Sequence, residues 1–289
     1  MRQYPDWLTK SFSPDGVARE VRELVGDLRL ATVCESAHCP NLRECYSQRQ
    51  LTFMILGDRC TRSCQFCAVE HGRPFRVEDD EPDRIAEAVA RLRLQHVVIT
   101  SVARDELADE GAAHFVRVIE ALRIRNPGVS VEVLVPDFHG RPELIGCIMA
   151  AHPEVFAHNV ETVERLSPRL RPQADYRRSL LVLRTARAFA TDSLMKSSLM
   201  LGLGEGLEEV RQTFDALLDA GCTHVTLGQY VRPSPQQLPV IDYLSPARFR
   251  FYEQLAYDAG FVWVKAGPFV RSSYHAIDAV SDHEGRRSH

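Results

Sequence analysis

From residue 51 onward, short β-branched apolar runs alternate with longer stretches whose apolar residues recur at helical spacing. That alternation predicts repeated βα units around a parallel sheet: a strand buried on both faces reads as a continuous apolar run, and its covering helix as an amphipathic one. Six strands are predicted, at 51–57, 96–101, 130–135, 155–159, 195–201 and 223–229. The clearest helices between them fall at 81–94, 107–125, 176–190 and 207–220. Residues 1–50 read as an N-terminal extension with a helix near 15–28 and then a polar, cysteine-bearing loop. Residues 233–289 read as a C-terminal extension. In it Pro233, Pro235 and Pro239 interrupt regular structure, a helix near 246–259 precedes the run 261–265, and the tail 281–289 is expected to fray. Periodicity leaves open whether the core, 51–232, closes partly into a barrel or lies open as a doubly wound sheet.

Composition narrows the class. Hydrophobic residues at 45% and charged residues at 26% of 289 positions are those of a globular protein with a large core, and one main domain is expected at this size for an α/β barrel. A net charge of −4 argues against a nucleic-acid partner. The first ten residues contain no apolar signal core, and no apolar run approaches the roughly 18 residues of a membrane span, so a cytoplasmic protein without a membrane partner is expected.

Six of the eight cysteines lie between Cys34 and Cys67; Cys147 and Cys222 stand alone in apolar segments and are expected to be buried packing residues. Cys60, Cys64 and Cys67 form C-x3-C-x2-C directly after the first predicted strand, and Cys34, Cys39 and Cys45 form C-x4-C-x5-C upstream. Structural zinc sites favour four ligands in paired spacing, whereas three thiolates on an iron–sulfur cubane leave one iron open for another ligand. Paired iron–sulfur clusters are therefore the reading taken, with zinc and redox disulfides as the alternatives.

The triplet Cys60, Cys64 and Cys67, with Phe66 before its last cysteine, resembles that of the radical S-adenosylmethionine superfamily. Together with the upstream triplet and Arg271-Ser272-Ser273-Tyr274, the chain resembles the lipoyl synthase family across residues 30–277. Further matching stretches are Ile99-Thr100-Ser101-Val102, Glu132-Val133-Leu134, Pro136-Asp137-Phe138, His158-Asn159-Val160-Glu161-Thr162, Met200-Leu201-Gly202-Leu203-Gly204-Glu205 and Gly228-Gln229-Tyr230. Two positions depart from the family pattern: Ala103 stands where an acidic residue is usual, and Ser198 where a glycine is usual.

The resemblance implies an α/β fold, a partial (β/α)6 TIM-type barrel whose N- and C-terminal extensions carry an auxiliary cluster. It implies two 4Fe-4S clusters and S-adenosyl-L-methionine as cofactors, with Cys60, Cys64 and Cys67 binding the cluster that cleaves S-adenosylmethionine to a 5′-deoxyadenosyl radical. A radical suits the task, because the hydrogens of an octanoyl chain have no acidity for a general base to exploit. Cys34, Cys39 and Cys45, completed by Ser273 with Ser272 as the neighbouring alternative, would hold the second cluster, the donor of the two sulfur atoms inserted at C6 and C8. A serine oxygen is a harder ligand than thiolate and suits an iron that must be released.

Thr100, Ser101, Asn159, Glu161 and Arg171 are the expected cofactor contacts at strand ends. Lys196 joins them: it is one of three lysines and sits inside an apolar strand, where an ammonium needs an anionic partner such as the cofactor carboxylate. His38, His139, His158 and His224 read as framework histidines. The implied substrates are octanoylated lipoyl carrier proteins, either the glycine-cleavage H protein or the lipoyl domains of 2-oxo acid dehydrogenase acyltransferases. A low-potential electron donor such as flavodoxin or ferredoxin and a cluster-rebuilding carrier are also implied. Such carriers tend to be acidic, and Arg165, Arg169, Arg171, Arg177 and Arg178 offer a complementary face.

Overall fold

The computed structural model describes residues 4–10, 16–189 and 192–281. Among the described residues there are ten strands: β1 (Ala31–Thr32), β2 (Thr52–Ile55), β3 (Arg59–Cys60), β4 (Glu70–His71), β5 (His96–Ser101), β6 (Ser130–Leu134), β7 (Val155–Ala157), β8 (Leu194–Leu201), β9 (His224–Gln229) and β10 (Trp263–Gly267). The α-helices are α1 (Gly16–Asp27), α2 (Val33–Ser36), α3 (Leu42–Ser47), α4 (Glu81–Leu92), α5 (Ala112–Arg125), α6 (Pro142–Met149), α7 (Ser167–Leu170), α8 (Tyr176–Phe189), α9 (Leu207–Asp219) and α10 (Pro246–Ala259).

The main sheet runs β1-β2-β5-β6-β7-β8-β9-β10, in chain order. Every pair from β2 to β10 is parallel, and β1 adds antiparallel to β2. A parallel sheet in sequential order with a helix after most strands is the winding of a (β/α) barrel, here open between β1 and β10. The six predicted strands are all present. The run at 261–265 adds a seventh parallel member, β10, which pairs Trp263 with His224 and Gly267 with Gly228. The predicted helix at 107–125 begins only at Ala112, because Glu110 and Gly111 take positive φ (49° and 88°), a conformation no helix propagates through. The tail 282–289 lies outside the described residues, as do positions 190–191 at the end of the predicted 176–190 helix.

One apolar core packs α1, α4, α5 and α6 on β2, β5 and β6; a second packs α9 and α10 on β8 and β9. Cys222 is fully buried in the second. Cys147, expected to be buried, is exposed. On α6 the inward stripe is Ile145, Ile148 and Met149, and the thiol falls off it. Among the described residues no helix is long and apolar enough to cross a membrane.

Candidate active site

Parallel barrels gather loops at the C-terminal ends of their strands. Here those loops and the two chain extensions enclose a cavity of about 900 Å³. Both thiol triplets line it, as do Ser272 and Ser273, together with Thr100, Ser101, Asn159, Glu161 and Arg171. All eight cysteines are free thiols.

The downstream triplet sits on the loop leaving β2. The Cys60 sulfur accepts backbone hydrogen bonds from Arg62 (3.4 Å) and Ala103 (3.3 Å), and such N–H groups steady a cluster thiolate. Ala103 acts through its main chain, donating to Cys60 while its carbonyl accepts from Thr61, so the departure of its side chain from the family pattern leaves these contacts intact. Arg62 braces the loop from below. It is buried, holds Asp105 through bonds of 2.7–3.1 Å, and lies 2.8 Å from Asp137. Burial alone would raise the Asp137 carboxyl, but Arg62 brings it down to about 2. Burial pushes the Cys64 thiol up to about 11 and Cys67 up to about 12. Thiols so placed ionise only when a cation such as iron takes the proton's place.

The upstream triplet belongs to α2, α3 and the turn between them. Burial raises Cys34 and Cys45 to about 12. This segment is stitched to the C-terminal extension by several contacts. Asn41 Nδ2 donates to the Phe269 carbonyl at 2.6 Å, and the Tyr274 hydroxyl donates to Glu44 at 2.8 Å. The Thr52 hydroxyl donates to Ser273 Oγ at 2.7 Å, joining β2 to a serine 221 positions away. Gly228 makes room for this docking: a Cβ there would lie 2.1 Å from the Val270 carbonyl oxygen.

The cavity wall also carries buried polar atoms without protein partners: Ser101 Oγ, Asn159 Oδ1 and His158 Nε2. Such atoms are costly to leave unpaired and mark the wall a polar ligand would complete. Asn159 Nδ2 donates to Glu161 at 3.0 Å, and Arg171 donates to the Asn159 and Val160 carbonyls and to Ser179. Burial raises the Glu161 carboxyl above its ordinary range, with Arg171 opposing. Thr100 spends its hydroxyl on the Leu134 carbonyl at 2.9 Å.

Lys196 does not belong to this wall. It is 1% exposed, at the entrance to β8, and its ammonium lies 2.9 and 3.0 Å from the two oxygens of Glu132. The anionic partner expected in a cofactor is thus a carboxylate of the chain itself. The arginine face is likewise largely committed: Arg165 pairs with Glu209, Arg177 with Glu164 and Arg178 with Asp137, and Arg171 turns inward. Glu205 accepts from the backbone N–H groups of Gly202 and Leu203, closing its own turn.

Thr52, Arg62 and Asp137 were not legible as site residues, and His158 read as framework. Arg62 within the triplet loop was the available signal, since a cation between cluster cysteines needs a nearby acid.

The sequence from 54 to 217 matches the radical SAM superfamily. The chain is 49% identical over 276 residues to the lipoyl synthase of Caldicellulosiruptor saccharolyticus, covering 96% of this chain and 97% of that one. It is 51% identical to the lipoyl synthase of Methylococcus capsulatus, covering 94% and 85%. In fold it is similar to the FeFe-hydrogenase maturase HydG from Carboxydothermus hydrogenoformans (TM-score 0.58, 12% identity, 92% and 78% covered). It is similar also to methylornithine synthase PylB (TM-score 0.55, 12% identity, 86% and 81% covered). With relatives this similar over nearly its whole length, the chain is an enzyme of the lipoyl synthase family, within the radical S-adenosylmethionine superfamily.

Proposed function

We propose that this enzyme inserts two sulfur atoms, at C6 and C8, into an octanoyl chain carried on a lysine of a lipoyl domain. Membership of the superfamily brings one 4Fe-4S cluster and S-adenosylmethionine; the second cluster, as sulfur donor, is part of the proposal. The observation that carries it is the meeting of both thiol triplets and Ser273 on one cavity wall. When bound, the first cluster and S-adenosylmethionine supply a carbon-centred radical able to take hydrogen from an unactivated alkyl chain.

The chain's own residues divide the remaining work. Cys60, Cys64 and Cys67 would hold the first cluster, and Cys34, Cys39, Cys45 and Ser273 the second. Ser101, Asn159, Glu161 and Arg171 would receive S-adenosylmethionine, with Thr100 supporting the strand end. The donor set suits cubanes: each triplet offers three thiolates and leaves one iron for another ligand, whereas a structural zinc site takes four ligands in paired spacing. The extensions 1–50 and 233–289 would serve the second cluster and the core 51–232 the first.

The lipoyl carriers named above, glycine-cleavage H protein or acyltransferase lipoyl domains, are the proposed substrates. A flavodoxin or ferredoxin and a cluster-rebuilding carrier are the proposed supporting partners. One anaerobic turnover with reductant, S-adenosylmethionine and an octanoyl-lysine peptide tests the reading. Formation of 5′-deoxyadenosine and a peptide heavier by sulfur is expected; absence of 5′-deoxyadenosine would sink it.

A further inference from the structure

Thr52 opens β2 and is 3% exposed, yet its hydroxyl faces a proposed ligand of the second cluster, donating to Ser273 Oγ at 2.7 Å. A threonine here is otherwise unexplained. The rest of β2 is Phe53, Met54 and Ile55, all buried and apolar, and a valine would fill the same volume without bringing a hydroxyl out of water.

We propose that Thr52 is a positioning residue for the second cluster, holding Ser273 as its oxygen ligand by a hydrogen bond; this rests on the two-cluster reading above. The geometry gives the reason. Cys34, Cys39 and Cys45 are close in sequence and share α2, α3 and their connection, so local folding places them. Ser273 comes from the far end of the chain, on the turn after β10, and a short side chain there can face several ways. Backbone strand geometry fixes Thr52 in the sheet, where its register with Val98 of β5 is set. The donated hydrogen bond carries that fixity across to the serine.

The test uses the full chain reconstituted anaerobically with iron and sulfide. Thr52→Val removes the hydroxyl and keeps the shape; Thr52→Ser restores it; Ser273→Ala sets the limit for complete loss of the oxygen ligand. Iron release to a ferrous chelator is read, and so, after one-electron oxidation with ferricyanide, is the electron paramagnetic resonance signal of three-iron clusters, with circular dichroism confirming each fold. Loss of one hydrogen bond to a charged ligand should let T52V lose one iron on the order of tenfold faster than wild type. It should show more of the three-iron signal than wild type, whose first cluster contributes a constant share, with T52S near wild type and S273A at least as leaky as T52V.

A T52V protein that keeps its iron at the wild-type rate overturns the proposal. So does a T52S protein as leaky as T52V, which would place the effect in packing rather than in the hydroxyl. If wild type itself takes up only one cluster's worth of iron, the two-cluster reading fails and this proposal fails with it, a result distinguishable from the other two.

Discussion

At the floor of the barrel, where β6 and β8 begin, Lys196 and Glu132 are each 1% exposed and bind one another at 2.9–3.0 Å. His96 stands 3.7 Å from the same carboxylate, and the Lys196 ammonium lies 6.0 Å from the Trp263 ring centre. Burial alone would raise the Glu132 carboxyl, but Lys196 beside it keeps it below its ordinary value, a charge answered on the spot. At the mouth the wall is built the other way: Ser101 Oγ, Asn159 Oδ1 and His158 Nε2 are buried and unanswered. The two ends of one set of strands separate two uses of buried polarity. At the floor Lys196 and Glu132 close their bonds on each other, with His96 Nε2 left 3.7 Å off the carboxylate; at the mouth three polar atoms stay open toward a cavity that a ligand can fill.

The widest separation between the two ends comes from Cys64→Ala. Removing a thiolate at the mouth should cut 5′-deoxyadenosine formation on the order of 10³-fold or more, while circular dichroism shows the fold retained. A Cys64→Ala protein that still forms 5′-deoxyadenosine at a comparable rate would remove the mouth from the chemistry.

The floor should answer oppositely. Lys196→Met strands a buried carboxylate and should destabilise the fold by about 3–5 kcal/mol in urea titration, and adding Glu132→Leu should recover much of that loss. If K196M keeps its stability and instead loses affinity for S-adenosylmethionine, the floor belongs to the site and the contrast collapses.

Ser101→Ala sharpens the point at smaller scale. Its hydroxyl has no partner to lose, so unfolding free energy should stay within about 0.5 kcal/mol of wild type while S-adenosylmethionine affinity falls about tenfold in equilibrium dialysis. Equal affinity in both proteins would show that the orphaned oxygen faces nothing that matters.

How much of this was legible depended on sequence distance. The strands and most helices were readable because burial imposes its period on neighbouring residues, and the cysteine triplets because their spacing is local. Lys196 was misread for the converse reason: the sequence shows an ammonium in an apolar strand, but Glu132, 64 positions earlier, becomes its neighbour only when β6 and β8 flank β7. Thr52 looked like one more β-branched strand residue, since its partner Ser273 is 221 positions away. Cys147 failed on a finer scale. Its helix is short and apolar on most sides, so which flank faces water is decided by the neighbours it packs against.

The smallest effect expected at the mouth is a dependence on pH. His158 donates through Nδ1 to the Val135 carbonyl at 2.8 Å, leaving Nε2 bare. Burial, and then the Arg171 charge, lower its pKa to about 4 from the ordinary 6.5. In the unfolded chain the imidazole takes a proton below about 6.5, while in the folded chain it stays neutral until about 4. Between these values the unfolded state binds more protons, so this residue makes stability fall as pH falls. Lowering pH from 7.5 to 5.5 should cost wild type about 1 kcal/mol more than it costs His158→Gln, read as the difference between their urea midpoints at each pH. Asp137, held at about 2, contributes nothing in that window. Parallel pH profiles for the two proteins would mean that His158 takes up its proton at the same pH in the folded chain as in the unfolded one. Below that pH its Nε2 would be a donor, and the mouth would present one acceptor fewer to the ligand it awaits.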